Sequence, residues 1–526
     1  MNKSTASHST GAIARSAGII GFATLISRIL GFIRDIVIAR LFGTYLYAQA
    51  FVIAFKLPNL FRDLAGEGAT NAAFVPVFSD YLARGKDREF WELTNVAMNL
   101  LLVALSCITL AGIIFAPVLV RLIAPGFSGD TLRETIRLTR VIFPYILLIG
   151  LAAYSMGILN SLRHFALPAF GPCLLNISII VCALIWGEGI RGLATGVLIG
   201  GALQLGIQVP LLHKKGFRFR LSAGFRHPAI AQIRRLLAPR LFSSAVYQLN
   251  NFVDSIFGSL VFIVGEGGVA ALYFSYRLIQ FPLGIFGNAL AQAILPTLAH
   301  QAVDSGSKEK FNETLLFGLR SVLFIMIPAS AGFIALSRPI IETLFAGGKF
   351  DAASVQITSG ALLFYSIGLF AYAGVRIMQH GFFALKDTRT PAFVSALALV
   401  LNVLLNAIFM FPLKLKGLAL ATSCAGIANF LLLFMLLNRK TGGLGLASLG
   451  VFVAKVVAAS LAMGAACYLS LRIQPALGCP GIERVLRLAI PVAIGVASYL
   501  LLCLALRVEH AWRIVRWLTR RRARPF

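Results

Sequence analysis

The sequence predicts an all-α polytopic membrane protein of fourteen transmembrane helices, with two six-helix lobes in parallel repeat and two further helices at the C-terminal end. Three observations predict it: apolar runs of bilayer length, cations gathered on one side of those runs, and markers that recur about 220 residues apart. The 526 residues are 58% hydrophobic and 13% charged, against about 25% charged in an ordinary soluble domain. Mean hydropathy is +0.84. That balance excludes soluble enzymes, disordered chains and secreted disulfide scaffolds.

Uncharged stretches run over Leu93–Val120, Val141–Leu162, Phe165–Gly187, Gly192–Leu212, Leu278–Ala299, Ala352–Val375, Thr390–Leu413, Gly417–Asn438 and Leu488–Leu506. Each matches the roughly 20 residues that span hydrocarbon as a helix. Shorter or charge-interrupted segments near 12–39, 46–79, 229–264, 313–337 and 446–471 complete the fourteen. Strands of a membrane barrel would instead alternate in polarity over about ten residues. Arg15 ahead of Ser16–Ser27 imitates a signal peptide. Cleavage is not expected, because Arg28, Arg34 and a continuing helical pattern follow without a small-residue cleavage site.

Net charge is +28, from 48 Lys and Arg against 20 Asp and Glu. With a cytoplasmic N-terminus most of the cations fall in cytoplasmic loops and tails, which sets the expected orientation with both termini inside. The largest groups are Lys214, Lys215, Arg218, Arg220, Arg226, Arg234 and Arg235 in one loop, and Arg513, Arg516, Arg520, Arg521, Arg522 and Arg524 in the tail. Beside apolar spans such runs hold topology and touch anionic phospholipids; no nucleic-acid partner is expected. Six cysteines lie within spans and only Cys479 lies in an external loop, so no disulfide is expected. The histidines lack metal-ligand spacing, and no external segment is long enough for a catalytic domain. A monomeric protein that is not an enzyme is the reading.

The repeat rests on several markers. Phe55-Lys56-Leu57-Pro58 and Val75-Pro76 have counterparts in Phe281-Pro282 and Leu295-Pro296, at offsets of 224 and 220. A tyrosine-bearing span from Tyr145 leads to Pro168-Ala169-Phe170 and then Asn176; Tyr365 leads to Pro391-Ala392-Phe393, offset by 223, and then Asn402. Six spans between copies make the repeats parallel, with a cavity expected between two bundles. The expected divisions are 1–225, 226–440 and 441–526.

Cations within spans bear on what the cavity holds, since a charge at the bilayer centre costs at least about 2.5–3.5 kcal/mol. Arg137, Arg140, Arg240, Arg320 and Lys455 lie where long side chains snorkel to the interface; Lys56 and Arg376 are further cations within spans. Arg28, Arg34, Arg62 and Arg277 resist snorkelling. Arg28 and Asp35 are seven apart, as are Ser27 and Arg34, so each pair shares a helix face. Gly31 between them leaves room for a bend or a bulky ligand. Pro58 and the glycines Gly66 and Gly68 flanking Glu67 interrupt the second span near Arg62. Arg277 precedes Pro282 in the matching span of the other half. Four guanidinium forks of this kind suit phosphate.

The stretches Ser27-Arg28-Ile29-Leu30-Gly31-Phe32-Ile33-Arg34-Asp35, Ala54-Phe55-Lys56-Leu57-Pro58-Asn59-Leu60-Phe61-Arg62 and Ala73-Phe74-Val75-Pro76 closely resemble the MurJ (MviN) family of lipid II flippases. So do Ala124-Pro125-Gly126-Phe127, Gly157-Ile158-Leu159-Asn160 and Leu175-Asn176-Ile177-Ser178, and the likeness runs end to end. The resemblance implies membership of the multidrug, oligosaccharidyl-lipid and polysaccharide exporter superfamily and transport by alternating access. It implies a bacterial inner-membrane protein that moves undecaprenyl-pyrophosphate-linked disaccharide-pentapeptide (lipid II) outward for peptidoglycan synthesis. It further implies substrate binding by Arg28, Arg34, Arg62, Arg277, Ser27 and Asn160, and gating by Asp35, Glu67, Gly66 and Gly68. Gln49, Asp63 and Tyr276 depart from the family's pattern. The alternatives are export of another polyprenyl-linked glycan or of amphipathic drugs, and, from other classes, a membrane glycosyltransferase or a scaffold.

Asp254, Asn402, Asn406 and Thr422 bear oxygen donors that suit a small hard cation, Asn402 and Asn406 sharing a helix face. Two readings stay open: a sodium site for coupling, which the resemblance implies for some relatives, or an interhelical hydrogen-bond cluster. No other cofactor is expected.

Overall fold

The computed structural model describes residues 3–62, 70–187, 189–221, 229–233, 235, 252–303, 308–472, 480–513 and 516. Among these, ten helical spans are long and apolar enough to cross a membrane: Asp87–Ile114, Gly129–Ser161, Ala166–Trp186, Arg191–Lys214, Gly268–Val303, Lys308–Phe345, Arg389–Leu413, Leu415–Thr441, Leu446–Ser470 and Ile482–Ala505. The pair Ala352–Ile367 and Leu369–Ala384, bent by 43°, makes an eleventh. These coincide with apolar segments expected from the sequence. The segment 12–39 lies in the helix Lys3–Phe42, whose apolar run Arg28, Arg34, Asp35 and Arg40 interrupt. The segment 46–79 is divided between Leu46–Arg62, which contains Pro58, and Thr70–Ala83. Within 229–264, residues 234 and 236–251 lie outside the described residues, while 229–233 and 252–258 are helical.

Packing divides the chain into two compact units, Met1–Val261 with Gly348–Phe350, and Phe262–Gly347 with Asp351–Phe526. In the first unit, Ile190–Gly206 presents Gly192, Gly196 and Gly200 at successive turns to Gly171–Trp186. A Cβ on Gly196 would stand 2.7 Å from Ile179 Cα, and one on Gly200 2.8 Å from Leu175 Cα. Small residues let these backbones meet, which is how helices gain contact where lipid removes the hydrophobic drive. Phe74 meets Tyr154 edge-on at 5.1 Å and Phe78 meets Phe90 at 5.6 Å, while the Tyr154 hydroxyl donates to Thr94 O at 2.9 Å. The buried phenol is thereby satisfied.

In the second unit, Lys308–Phe345 bends at Leu336, three residues ahead of Pro339, whose ring cannot continue the hydrogen-bond ladder. Gly268–Pro282 runs into a π turn, Leu283–Gly287, before Asn288–Val303 resumes as α-helix.

The backbone itself repeats. Arg163 has φ 61° and Lys386 φ 58°, the two standing 223 residues apart as Pro168 and Pro391 do. His164 N donates to Leu159 O and Arg163 N to Asn160 O; Asp387 N donates to Phe382 O and Lys386 N to Phe383 O, with the same offset. A left-handed residue is unusual outside glycine, so its recurrence with the same hydrogen bonds is strong support for duplication.

Candidate functional site

In the first unit the site begins on the helix Lys3–Phe42. Arg34 is 5% exposed and Asp35 fully buried. Arg34 Nε and Nη2 donate to Asp35 Oδ1 at 3.1 and 2.8 Å, and Nη1 donates to Asn176 Oδ1 at 3.1 Å. Asn176 Nδ2 in turn donates to Ser27 O and Pro172 O, both at 3.1 Å. The guanidinium lies 5.8 Å from the Phe55 ring centroid. A buried charge needs such partners, because its desolvation is repaid only by good geometry and saturated hydrogen bonds. The Ser27–Arg34 face is thus realised through Asn176, a residue of the helix Gly171–Trp186. Arg28 is exposed and Ser27 half-buried. Arg62 ends the helix Leu46–Arg62 with its side chain outside the described residues, and Glu67, Gly66 and Gly68 lie outside them entirely. Asn160 sits half-buried in the last turn of Tyr145–Ser161, beside the left-handed Arg163.

Lys56 donates to Ser255 Oγ, lies 5.6 Å from the Phe252 ring centroid and interacts electrostatically with Asp254. These residues all belong to the first unit. Asn402, Asn406 and Thr422 belong to the second, where they form a chain: Asn406 Nδ2 donates to Asn402 Oδ1, and Asn402 Nδ2 to Thr422 Oγ1, each at 3.1 Å. Asn406 is fully buried and its Oδ1 has no hydrogen-bond partner. An orphaned buried amide oxygen is a donor that fits a hard cation, and the Thr422 hydroxyl at the other end of the chain is a second oxygen of that kind. Among the described residues no cluster of three or more His, Cys, Asp or Glu could hold a metal.

Arg277 is half-buried on Gly268–Pro282, six residues ahead of the π turn. The neighbouring Tyr276 ring lies 5.4 Å from that of Tyr365, and Ser275 Oγ donates to Thr358 O at 2.8 Å. π turns inside helices are frequent at functional sites. The sequence reading missed Asn288, directly after that turn, whose Oδ1 accepts from Arg376 Nη1. The only local signal was Pro282 followed by Gly284 and Gly287, residues that permit an irregular turn.

Residues 38–485 match the family model for "Lipid II flippase MurJ". The chain belongs to this family. It is 36% identical over 510 residues to the probable lipid II flippase MurJ of Vibrio cholerae, covering 94% of this chain and 96% of that protein. It is 37% identical over 436 residues to the probable lipid II flippase MurJ of Rhizobium meliloti, covering 79% and 78%. A solved structure of lipid II flippase MurJ in an inward closed conformation is similar with a TM-score of 0.78 at 27% identity, covering 93% of this chain and 98% of that one. An inward-facing MATE-family multidrug transporter of the MOP superfamily shares the fold, with a TM-score of 0.67 at 16% identity over 80% of this chain and 95% of that one. The MurJ relationship accounts for the polytopic helical architecture.

Proposed function

We propose that this MurJ-family protein is a flippase that moves lipid II from the cytoplasmic to the external leaflet of the bacterial inner membrane, supplying peptidoglycan synthesis. The observation that carries the reading is a set of guanidiniums within apolar helices of a chain that matches the flippase family over most of its length. Arg28, Arg34, Arg62 and Arg277 bind the pyrophosphate, with Ser27 and Asn160 beside them. Asp35 holds Arg34 in place when substrate is absent, and Glu67, Gly66 and Gly68 act in gating. Alternating access between two six-helix lobes, with fourteen spans and both termini cytoplasmic, carries the substrate across. Such transport needs no covalent step. The basic loop and tail rest on anionic headgroups.

Energy comes from two sources in this scheme. Moving an anion outward from a negative interior is favourable by about 2.3 kcal/mol per charge per 100 mV. Asn402, Asn406 and Thr422 of the second unit hold a sodium ion that resets the empty carrier, while Asp254 of the first unit faces Lys56.

The test is rescue of a flippase-depleted strain, with lipid-linked precursor measured from outside the cell. Alanine at Arg28 or Arg277 abolishes rescue while the protein still inserts; lysine rescues in part, because an ammonium lacks the bidentate fork. Full rescue by both alanine variants would refute the arginine assignment. Asn406→Ala slows turnover and weakens sodium dependence in vesicles held at fixed potential, and unchanged turnover at limiting sodium would reduce the cluster to helix packing.

A further inference from the structure

Arg376 lies on Leu369–Ala384, ten residues ahead of the turn residue Lys386. At 1.5 Å per residue that is about 15 Å of helix, half of a hydrocarbon core of about 30 Å. An arginine side chain cannot snorkel that far. Its guanidinium is half-buried and donates through Nη1 to Asn288 Oδ1. Among the described residues it makes no ion pair. His380, one turn on, bonds the Arg376 carbonyl through Nδ1 at 2.8 Å. Gln379 and His380 are half-buried and Gln292, one turn after Asn288, is exposed. A polar surface at this depth on which, among the described residues, no acid pairs with the guanidinium is a place for water or an anion.

The pair is held in register by the backbone. The π turn ends at Gly287, where a Cβ would stand 3.5 Å from Ala373 Cβ. Asn288 follows Gly287 directly, and Arg376 stands one turn beyond Ala373. Of the five N–H donors on a guanidinium, one is engaged by Asn288. Asn288, accepting through its oxygen, keeps its NH2 for donation. Together they offer several donors and no acceptor facing outward, which suits a phosphate or a carboxylate.

We propose that Arg376 and Asn288 form an oxyanion subsite on the second unit that binds an anionic group of the transported lipid. This rests on the flippase reading for the identity of the ligand, which carries two oxyanions, the pyrophosphate and the carboxylates of the stem peptide. The subsite engages one of them and orients the headgroup.

Binding tests the subsite separately from transport. Full-length protein in detergent is titrated, by native mass spectrometry, with undecaprenyl-pyrophosphate disaccharide bearing the pentapeptide and with the same lipid lacking the peptide. Arg376→Gln weakens binding about 10- to 100-fold, as loss of hydrogen bonds to a charged group does. Arg376→Lys recovers part of the loss. Asn288→Asp weakens binding similarly, because a carboxylate there neutralises the fork. All three keep the wild-type melting temperature, which a merely structural role would not. Loss confined to the peptide-bearing lipid assigns the carboxylate; equal loss for both assigns the pyrophosphate. Wild-type binding of both lipids by Arg376→Gln overturns the subsite. If the wild type binds both lipids with this dependence on Arg376 but moves neither across vesicles, the flippase reading fails and the subsite stands.

Discussion

Arg34 in the first unit and Arg376 in the second are both guanidiniums inside helices, and both donate to an asparagine, yet only Arg34 is answered by a carboxylate. Arg34 is 5% exposed with Asp35 against it; Arg376 is half-buried with no acid beside it among the described residues. The difference separates two uses of one residue type. A buried, neutralised arginine fixes helix packing until something displaces its partner. An unneutralised one is open to a ligand from the start.

The largest effect is expected at Asp35. Asp35→Ala strands the Arg34 charge and destabilises the protein by about 3–5 kcal/mol, the usual consequence of removing one partner of a buried pair. Thermal unfolding in detergent checks it. Replacing both Arg34 and Asp35 by leucine recovers most of that loss, whereas Arg376→Gln leaves the melting temperature unchanged. If Asp35→Ala were as stable as the wild type, the two arginines would not differ in the way described.

The two asparagines sharpen the same contrast at smaller magnitude. Asn176 bonds Arg34, Ser27 O and Pro172 O, so Asn176→Ala costs about 1–3 kcal/mol of stability by leaving buried groups unpaired. Asn288→Ala costs less, since Arg376 remains half-exposed to water. Denaturation of the two variants side by side reads the difference.

The smallest effect concerns the duplicated turns. In the second unit, Asp387 accepts from Lys440 Nζ at 2.5 Å, from Thr390 N at 3.0 Å and from Thr390 Oγ1 at 2.8 Å. His164 occupies the matching place in the first, so the turn forms without that cap. The hydrogen bond from Lys440, followed by that from the Thr390 backbone, lowers the Asp387 pKa to about 2. A lowered folded-state pKa contributes stability that is present above the unfolded value of about 4 and is lost as pH falls through about 2. Asp387→Asn therefore lowers stability at neutral pH by under about 1 kcal/mol, as exposed pairs do. The gap between variant and wild type closes as pH is lowered from 5 to 2; a gap independent of pH would mean the carboxylate charge contributes nothing.

What the sequence determined by itself was local or periodic. Apolar runs of bilayer length specified helices because the backbone must satisfy its own hydrogen bonds in hydrocarbon. Charges such as Arg28 and Arg34 were visible as costly exceptions to those runs. The offset between Pro168 and Pro391 located a turn whose left-handed residues, Arg163 and Lys386, recur at the same offset. Spacing along one helix put Ser27 and Arg34 on one face, and four-residue spacing joined Asn402 to Asn406. Tertiary structure decided which groups answer one another. Asn176 reaches Arg34 across 142 positions, and Asn288 reaches Arg376 across 88. Asp254, read from the sequence with the second half, packs in the first unit beside Lys56. The π turn that sets Asn288 against Arg376 depends on how Gly287 meets Ala373. Pairing of buried polar groups follows distance in space, and helix packing, through contacts between residues remote in sequence, fixes that distance.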